Sequence, residues 1–210
     1  MKTHLSLLVI IFTFIFLSCK QETASIDYTY ADKPQLIDCK KTDTLLLKEA
    51  YYTFENDITN FYDPQNKNVS RAMASFIRIA SSNASRIDFN KIATPRTIEI
   101  YNTLKADTGL WNGENLNYEH PLFACIGEQI KDQALNRTYN ALIDTGSMKA
   151  SLFGAPLNAK FQQVTSDKYL ATFVALQFYY ANLANVTPQV KEEQKTQPDN
   201  SPVDFNKIPR

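Results

Sequence analysis

Apolar side chains recur every three or four residues along most of this chain of 210 residues, and this spacing limits its fold more than any other feature. Such a period is typical of a helix that buries one face, whereas a strand alternates every two residues. The clearest stripe lies between residues 42 and 63 and consists of Leu47, Ala50, Tyr51, Phe54, Ile58, Phe61 and Tyr62. Because no run shows a persuasive period of two, we predict an all-α fold, a single helical bundle of about five helices.

Capping and helix-breaking residues delimit the predicted helices. Pro64 ends the first helix, and the pair Thr94-Pro95 supplies a cap and a proline at the first helical position of the third. The remaining starts and ends are Asn68, Pro121, Gly146 and Asp167. We expect residues 147–163, which contain a glycine and a proline, to be irregular.

The helical pattern covers only the middle of the chain. Residues 20–38 are polar and lack an apolar period, so we predict a linker over 19–41. The helical domain is predicted over 42–186. Beyond it, Pro, Gln, Lys and Asp dominate, which favours a flexible, disordered tail over 187–210.

The first eighteen residues form a separate segment with an uncharged apolar run. Lys2 and His4 precede this run, which covers residues 5–17, and Ser18 leads into Cys19. Thirteen residues are fewer than the roughly 20 that a membrane-spanning helix needs, which argues against the alternative of an uncleaved anchor. The pattern resembles the lipobox of bacterial lipoproteins, which have a cleaved signal peptide. The resemblance implies removal of residues 1–18 and acylation of Cys19, for example with palmitate.

The residues after the anchor indicate a location. Lys20, Gln21 and Glu22 resemble the charged tag that directs some Bacteroidota lipoproteins to the cell exterior. The resemblance implies a lipid-anchored protein of the outer membrane, on its periplasmic face or at the cell surface. Because the chain has this anchor and lacks a nucleophile-elbow motif, we predict a non-enzymatic accessory or interaction protein of the cell envelope. Its partners would be the membrane, through the lipid, and another envelope protein.

Charge and composition argue against nucleic acid, cofactors and metals as ligands. The chain has 22 basic and 22 acidic residues, and loss of Lys2 with the signal peptide leaves 21 against 22. Nucleic-acid-binding surfaces are usually basic, so we expect no nucleic acid. We expect no cofactor, because the five glycines form no nucleotide-binding motif, and no metal, because His120 is the single histidine left after cleavage. Its place beside Pro121 favours a structural role at a helix start.

Two cysteines remain if Cys19 carries lipid. Cys39 and Cys125 could form a disulfide in a compartment that permits one, and the bond would close a loop of about 86 residues. The alternative is that both are unpaired, buried and act as small hydrophobic residues. The sequence leaves both interpretations open.

Two copies of Asp-Thr-Gly, at Asp107 and Asp144, form the most suggestive motif. The second copy, within residues 141–147, resembles the active-site turn of aspartic proteases, and the resemblance implies that two aspartates activate a water molecule. Each copy follows a similar helical segment, however, and only 37 residues separate the two aspartates. We therefore favour two glycine-capped helix ends and keep an aspartic hydrolase as a remote alternative.

The loop from Gly109 to His120 is the richest candidate surface and holds the only tryptophan. The candidate ligand-binding residues are Trp111, Asn112, Glu114 and Tyr118. An aromatic face beside amide and carboxylate groups suits a sugar or peptide, so the alternative function is a glycan- or peptide-binding lipoprotein. The competing interpretation is that Trp111 folds back onto the bundle and fills its core.

Overall fold

A computed structural model describes residues 26–107 and 109–189. Within them lie nine α-helices: α1 (Thr44–Tyr62), α2 (Val69–Asn83), α3 (Phe89–Ile92), α4 (Pro95–Ala106), α5 (Pro121–Gln129), α6 (Gln133–Asp144), α7 (Ala150–Ala159), α8 (Phe161–Ser166) and α9 (Lys168–Val174). The strands in these ranges are β1 (Trp111–Asn112) and β2 (Asn115–Leu116), which pair as an antiparallel hairpin. The predicted all-α fold is confirmed, and the predicted count of about five helices is too low.

Three predicted N-terminal caps are confirmed. Asn68 accepts a hydrogen bond from the Arg71 N–H at the start of α2. Thr94 and Thr97 form a reciprocal capping box at the start of α4. Asp167 accepts from backbone N–H groups in the first turn of α9. These contacts satisfy N–H groups that a helix start leaves without partners.

The extra helices arise in three places, of which the first is the short α3 between the predicted second and third helices. The predicted helix from Pro121 to Gly146 is divided, because the Asp132 carboxylate accepts the N–H groups of Ala134 and Leu135, each at 3.0 Å, and starts a new helix. Residues 147–163, predicted to be irregular, form α7 and part of α8 instead. Burial of apolar side chains on α7 outweighs the weak helix propensity of its glycine and proline.

Gly154 lets α7 pack closely on α2. A side-chain carbon at this position would lie 2.5 Å from the Ser81 carbonyl oxygen, which is far closer than van der Waals contact. The glycine that weakens the helix signal in the sequence is therefore needed for packing.

Aromatic rings fill the core in edge-to-face and tilted pairs. Phe54 of α1 lies with its ring centroid 5.2 Å from that of Phe76 and 5.1 Å from that of Tyr179. A second cluster consists of Phe123, Tyr139, Phe153 and Phe173. These rings bury large areas, and their geometry is the one that aromatic pairs favour. Phe54 therefore joins α1 to α2 and to the segment after α9, and the second cluster joins α5, α6, α7 and α9.

Residues 26–41 lie against the bundle, which corrects the predicted linker for this part of it. Leu36 and Ile37 are buried, and the buried Lys48 side chain donates to the carbonyl oxygens of Ala31 and Lys33. Residues 19–25 of the predicted linker, the lipidation site Cys19 and the signal peptide lie outside the described residues. We name residues 26–41 the N-terminal arm.

A disulfide fixes the end of this arm. Cys39 and Cys125 are bonded, with 5.9 Å between their Cα atoms. This distance lies within the usual range for disulfides. Of the two alternatives for these cysteines, the structure shows the bonded one.

The other end of the described chain reaches α3. The Thr187 N–H donates to the side-chain oxygen of Asn90, and the Gln189 N–H donates to the carbonyl oxygen of the same residue. Residues 190–210, most of the predicted tail, lie outside the described residues. Among the helices of residues 26–189 that the structure describes, none is long and apolar enough to cross a membrane.

Candidate functional site

A buried polar stripe on α1 is the most unusual feature of the bundle. Glu49, Thr53 and Asp57 follow one another at intervals of four, so they share one side of the helix. Their exposed fractions are only 1%, 3% and 2%. Carboxylates are rarely buried without strong compensation, so this stripe is the first place to look for function.

Asp57 has only part of the compensation that a buried carboxylate needs. Its Oδ2 accepts hydrogen bonds from the Tyr179 hydroxyl, at 2.7 Å, and from the Thr97 hydroxyl. Its Oδ1 is buried and has no hydrogen-bond partner among the described residues. Burial raises the pKa of Asp57 to about 6, and the hydrogen bonds from Thr97 and Tyr179 oppose this rise.

A short π-helical segment brings Tyr179 to Asp57. After α9, residues Ala175–Tyr179 form one turn of π-helix, followed by a 3₁₀ turn over Tyr180–Asn182. Such π-helical turns are rare and are frequent at functional sites. Here the segment directs a fully buried tyrosine hydroxyl toward a buried carboxylate.

Asp57 lines an open cleft of about 510 Å³, which we name the Asp57 cleft. The exposed apolar side chains of its lining are Phe61, Pro64 and Pro95. The exposed polar side chains are Asn60, Lys67 and Lys91. Asp57 is the buried carboxylate residue of this lining. Its volume lies within the range of about 300–1,000 Å³ typical of small-molecule sites.

A smaller cleft adjoins the first. It has a volume of about 350 Å³ and shares Asn60 and Lys67 with the Asp57 cleft. Tyr30 of the N-terminal arm and Tyr52 of α1 line it, with their ring centroids 5.7 Å apart. The two clefts therefore form neighbouring parts of one surface.

Glu49, at the other end of the stripe, is fully compensated. Arg96 lies 2.7 Å from its Oε1, and the N–H groups of Thr29 and Tyr30 donate to its two oxygens at 3.1 and 2.8 Å. Arg96 also pairs with Glu99 at 2.8 Å. The arrangement ties the N-terminal arm and α4 to α1, which is a structural role.

Unpartnered polar atoms concentrate at this stripe. In the described ranges, the buried side-chain nitrogen and oxygen atoms without a hydrogen-bond partner are Thr53 Oγ1, Asp57 Oδ1 and Arg96 Nε. Buried polar atoms are nearly always paired in folded proteins, so each exception needs an explanation. Of the three residues, only Asp57 lines a cleft of the size that holds a small molecule.

The structure corrects the proposed role of Trp111 as a binding platform. Its exposed fraction is 7%, its indole N–H donates to the Leu104 carbonyl oxygen at 2.8 Å, and Tyr101 packs edge-on at 6.0 Å. Lys105 covers the ring at 4.7 Å from its centroid. The indole therefore fills the core and has no free face for a ligand.

The other candidate residues of that loop have contacts of their own. Asn112 and Glu114 are exposed, and Glu114 lies 3.5 Å from the Tyr101 hydroxyl. The Tyr118 hydroxyl donates to the Gln177 side chain, in the segment after α9. The indole of the predicted site is therefore not accessible to a ligand beside them.

Both Asp-Thr-Gly aspartates lie at the C-terminal ends of helices. Asp107 caps the end of α4, and its carboxylate accepts the N–H groups of Gly109 and Leu110. Asp144 is the last residue of α6, and Gly146 follows with a φ of +60°, which a glycine cap requires. Gly109 has no positive φ, so the predicted glycine cap is present only at the second copy. Neither aspartate lies on a strand-flanked turn.

His120 caps a helix. Its Nδ1 accepts the Leu122 N–H at 3.3 Å at the start of α5, and its Nε2 lies 3.9 Å from Asp107. Within the described part of the chain, no group of three or more His, Cys, Asp or Glu side chains is arranged to hold a metal ion.

Comparison with known proteins finds no match for this chain among protein-family models, curated proteins or solved structures. Function is therefore inferred from the geometry of the Asp57 cleft. This site was not predicted from the sequence, although a signal was present. Each polar residue of the stripe directly precedes a core residue of α1, at 49–50, 53–54 and 57–58, and so lies beside the apolar face.

Proposed function

We propose that this chain is a lipid-anchored protein of the bacterial cell envelope that binds a small ligand in the Asp57 cleft. The observation that carries the binding role is a buried carboxylate residue, Asp57, in the lining of an open cleft of about 510 Å³.

The envelope location has separate support. The lipobox-like sequence that ends at Cys19 implies export and acylation, and the Cys39–Cys125 disulfide is typical of an oxidising compartment such as the periplasm or cell surface. The proposed role is binding without catalysis. In this proposal the protein serves an envelope pathway as an accessory component, together with another envelope protein.

The binding role is tested on lipidated protein purified gently from its native membrane. Native mass spectrometry of the wild-type protein should reveal a bound small molecule, and the Asp57→Asn variant should lose it. Asp63→Asn is the matched control, because Asp63 follows α1 directly but does not line the cleft. Retention of the same molecule by both variants would contradict a site at Asp57.

The anchor is tested independently. Replacement of Cys19 by serine should release the protein from the membrane fraction and abolish labelling by a fatty-acid analogue. Proteins that co-purify with the wild type in a fixed ratio would identify the envelope partner. Membrane retention of the Cys19→Ser variant would contradict the lipid anchor and leave the cleft unaffected.

A further inference from the structure

The described part of the chain ends at the Asp57 cleft. Gln189, the last described residue, is exposed and belongs to the lining of the cleft. Two backbone N–H groups hold this end on α3. That of Thr187 donates to the Asn90 side chain at 2.8 Å, and that of Gln189 donates to the Asn90 carbonyl oxygen at 2.9 Å. The residues that follow Gln189 therefore start at the cleft.

The next four residues are long enough to cross the cleft. Thr187 precedes Pro188, and a residue before proline favours extended backbone. An extended chain covers about 3.3–3.6 Å per residue, so residues 190–193 reach about 13–14 Å from Gln189. A rounded cleft of about 510 Å³ is on the order of 10 Å wide, which is less than this reach.

The exposed charge of the cleft is positive. Its exposed charged side chains are Lys67 and Lys91, and among the described lining residues the one carboxylate, Asp57, is buried. Lys67 donates to the neutral side chain of Asn60 at 2.5 Å, and none of the ion pairs in the described ranges includes it. Lys91 pairs with Asp88 at 3.3 Å, but both side chains are about half exposed, so this pair contributes little. The cleft therefore presents two cations to an acidic segment.

The chain supplies such a segment directly after Gln189. Glu192 and Glu193 follow it by three and four residues, and Lys191 is the only basic residue of 190–193. The first residue of this stretch is a valine, and the lining includes a phenylalanine, Phe61, with an exposed fraction of 38%. An apolar side chain followed by two acids thus matches an apolar wall and two lysines.

We infer that residues 190–193 cover the Asp57 cleft and that their two glutamates pair with the two exposed lysines of its lining. The occupant belongs to the same chain, because the effective concentration of a segment on so short a tether is on the order of millimolar. A ligand of the cleft then has to displace these residues, a consequence that rests on the proposed function. Pairs of exposed ions are weak, so this displacement costs little.

The test measures how fast acetic anhydride acetylates Lys67 and Lys91 in the full, purified chain at pH 7.5. A carboxylate beside an ammonium group favours its charged, unreactive form, so both lysines should react about threefold more slowly than in a variant that ends at Gln189. Lys40 is exposed and lies outside the cleft, and it should react equally fast in both proteins.

Variants of full length assign the protection to the two glutamates. In the Glu192→Gln, Glu193→Gln double variant, both lysines should react as fast as in the shortened chain. The Asp199→Asn, Asp204→Asn double variant is the matched control, because it removes the same charge from residues farther along. It should keep the protection of the wild type.

Carbodiimide identifies the ion pairs directly, because it joins a carboxylate to a lysine that contacts it. Mass spectrometry of wild-type protein that migrates as a monomer should find the glutamates of 190–193 joined to Lys67 or Lys91. The ion pair of Lys160 with Asp132, at 2.6 Å, provides the positive control within the same molecule.

The outcomes separate this inference from the proposed function. Equal acetylation of the full and shortened chains overturns the inference. So does a sample that contains the control link and lacks the links to the cleft, or that has them only between two copies of the chain. None of these results affects the proposed function, which depends on a molecule that the wild type carries and Asp57→Asn loses. Protection of the lysines in protein that carries no such molecule would support the covering segment and remove the binding role.

Discussion

Glu49 and Asp57 lie eight residues apart on one helix, are almost equally buried, and meet opposite surroundings. Glu49 has an arginine and two backbone N–H groups. Asp57 has two hydroxyl donors on one oxygen and nothing on the other. Burial alone therefore does not indicate function. The two acids differ in their compensation instead, because a buried carboxylate without a counter-ion is costly to the fold and one with a counter-ion contributes to it.

The largest effect should come from releasing the arm that covers Glu49. In the Cys39→Ser, Cys125→Ser double variant, the unfolded chain loses a cross-link between residues 86 apart. The chain-entropy relation gives a loss of about 4–5 kcal/mol in the free energy of unfolding. Denaturant titration measures this loss. A reductant should destabilise the wild type by a similar amount and leave the double variant unchanged.

Removing Arg96, the partner of Glu49, should lower the free energy of unfolding by a smaller amount. Arg96→Met leaves a carboxylate with an exposed fraction of 1% without its counter-ion, and breaking such pairs costs about 3–5 kcal/mol. Because the Arg96 side chain is 24% exposed, we expect the lower end, about 3 kcal/mol. Glu99→Gln removes only the exposed partner of Arg96 and should change stability by less than about 0.5 kcal/mol. Equal effects of the two changes would contradict a structural role for Glu49.

Replacement of Asp57 should raise the free energy of unfolding, whereas the changes above lower it. Burial raises the pKa of Asp57 from 3.8 to about 6, so the folded protein binds more protons than the unfolded chain between these values. The contribution of Asp57 to stability is therefore fully present below pH 3.8 and is lost as the pH rises through 6. The loss in the free energy of unfolding is about 3 kcal/mol. At pH 7.5 the free energy of unfolding of Asp57→Asn should therefore exceed that of the wild type by about 1–2 kcal/mol. This is less than about 3 kcal/mol because the amide accepts weaker hydrogen bonds than the carboxylate does.

The pH dependence of the free energy of unfolding tests this prediction. Between pH 7.5 and pH 4.5, the advantage of Asp57→Asn should shrink by about 2 kcal/mol. Asp63→Asn is the control with the opposite sign. The hydrogen bond from Asn66 lowers the pKa of Asp63, so its contribution is present at neutral pH and is lost on acidification. A variant at Asp57 that destabilises the protein at pH 7.5 would place this residue with Glu49 as a structural acid.

Local signals in the sequence predicted the fold better than the site. The caps at Asn68, Thr94 and Asp167 depend on neighbouring residues only, and the structure has all three. Trp111 shows the limit of such reasoning. A tryptophan in a polar loop fits a binding platform and a core residue equally, and the deciding contact is the Leu104 carbonyl oxygen that accepts its N–H.

The stripe on α1 was missed for a related reason. A helical pattern assigns polar residues to solvent, and Glu49 and Asp57 break that rule because other segments of the chain cover them. The arm supplies backbone donors to Glu49, and the segment after α9 supplies Tyr179 to Asp57. Neither segment is identifiable from the period of α1 itself. Only a search for polar residues beside the apolar face of α1 would have found Glu49 and Asp57.

The smallest effect tests the hydrogen bonds that Asp57 does have. Tyr179→Phe removes the hydroxyl that donates to Oδ2 at 2.7 Å and should cost about 1 kcal/mol. Because this bond favours the ionised form, its loss should raise the pKa of Asp57 further and extend the pH range over which stability falls. Tyr180→Phe is the matched control, since its equally buried hydroxyl donates to the Ala50 carbonyl oxygen. It should cost a similar amount at every pH, so unfolding measured across pH 4–8 distinguishes the two. An equal and pH-independent loss in both variants would mean that Tyr179 does not control the ionisation of Asp57.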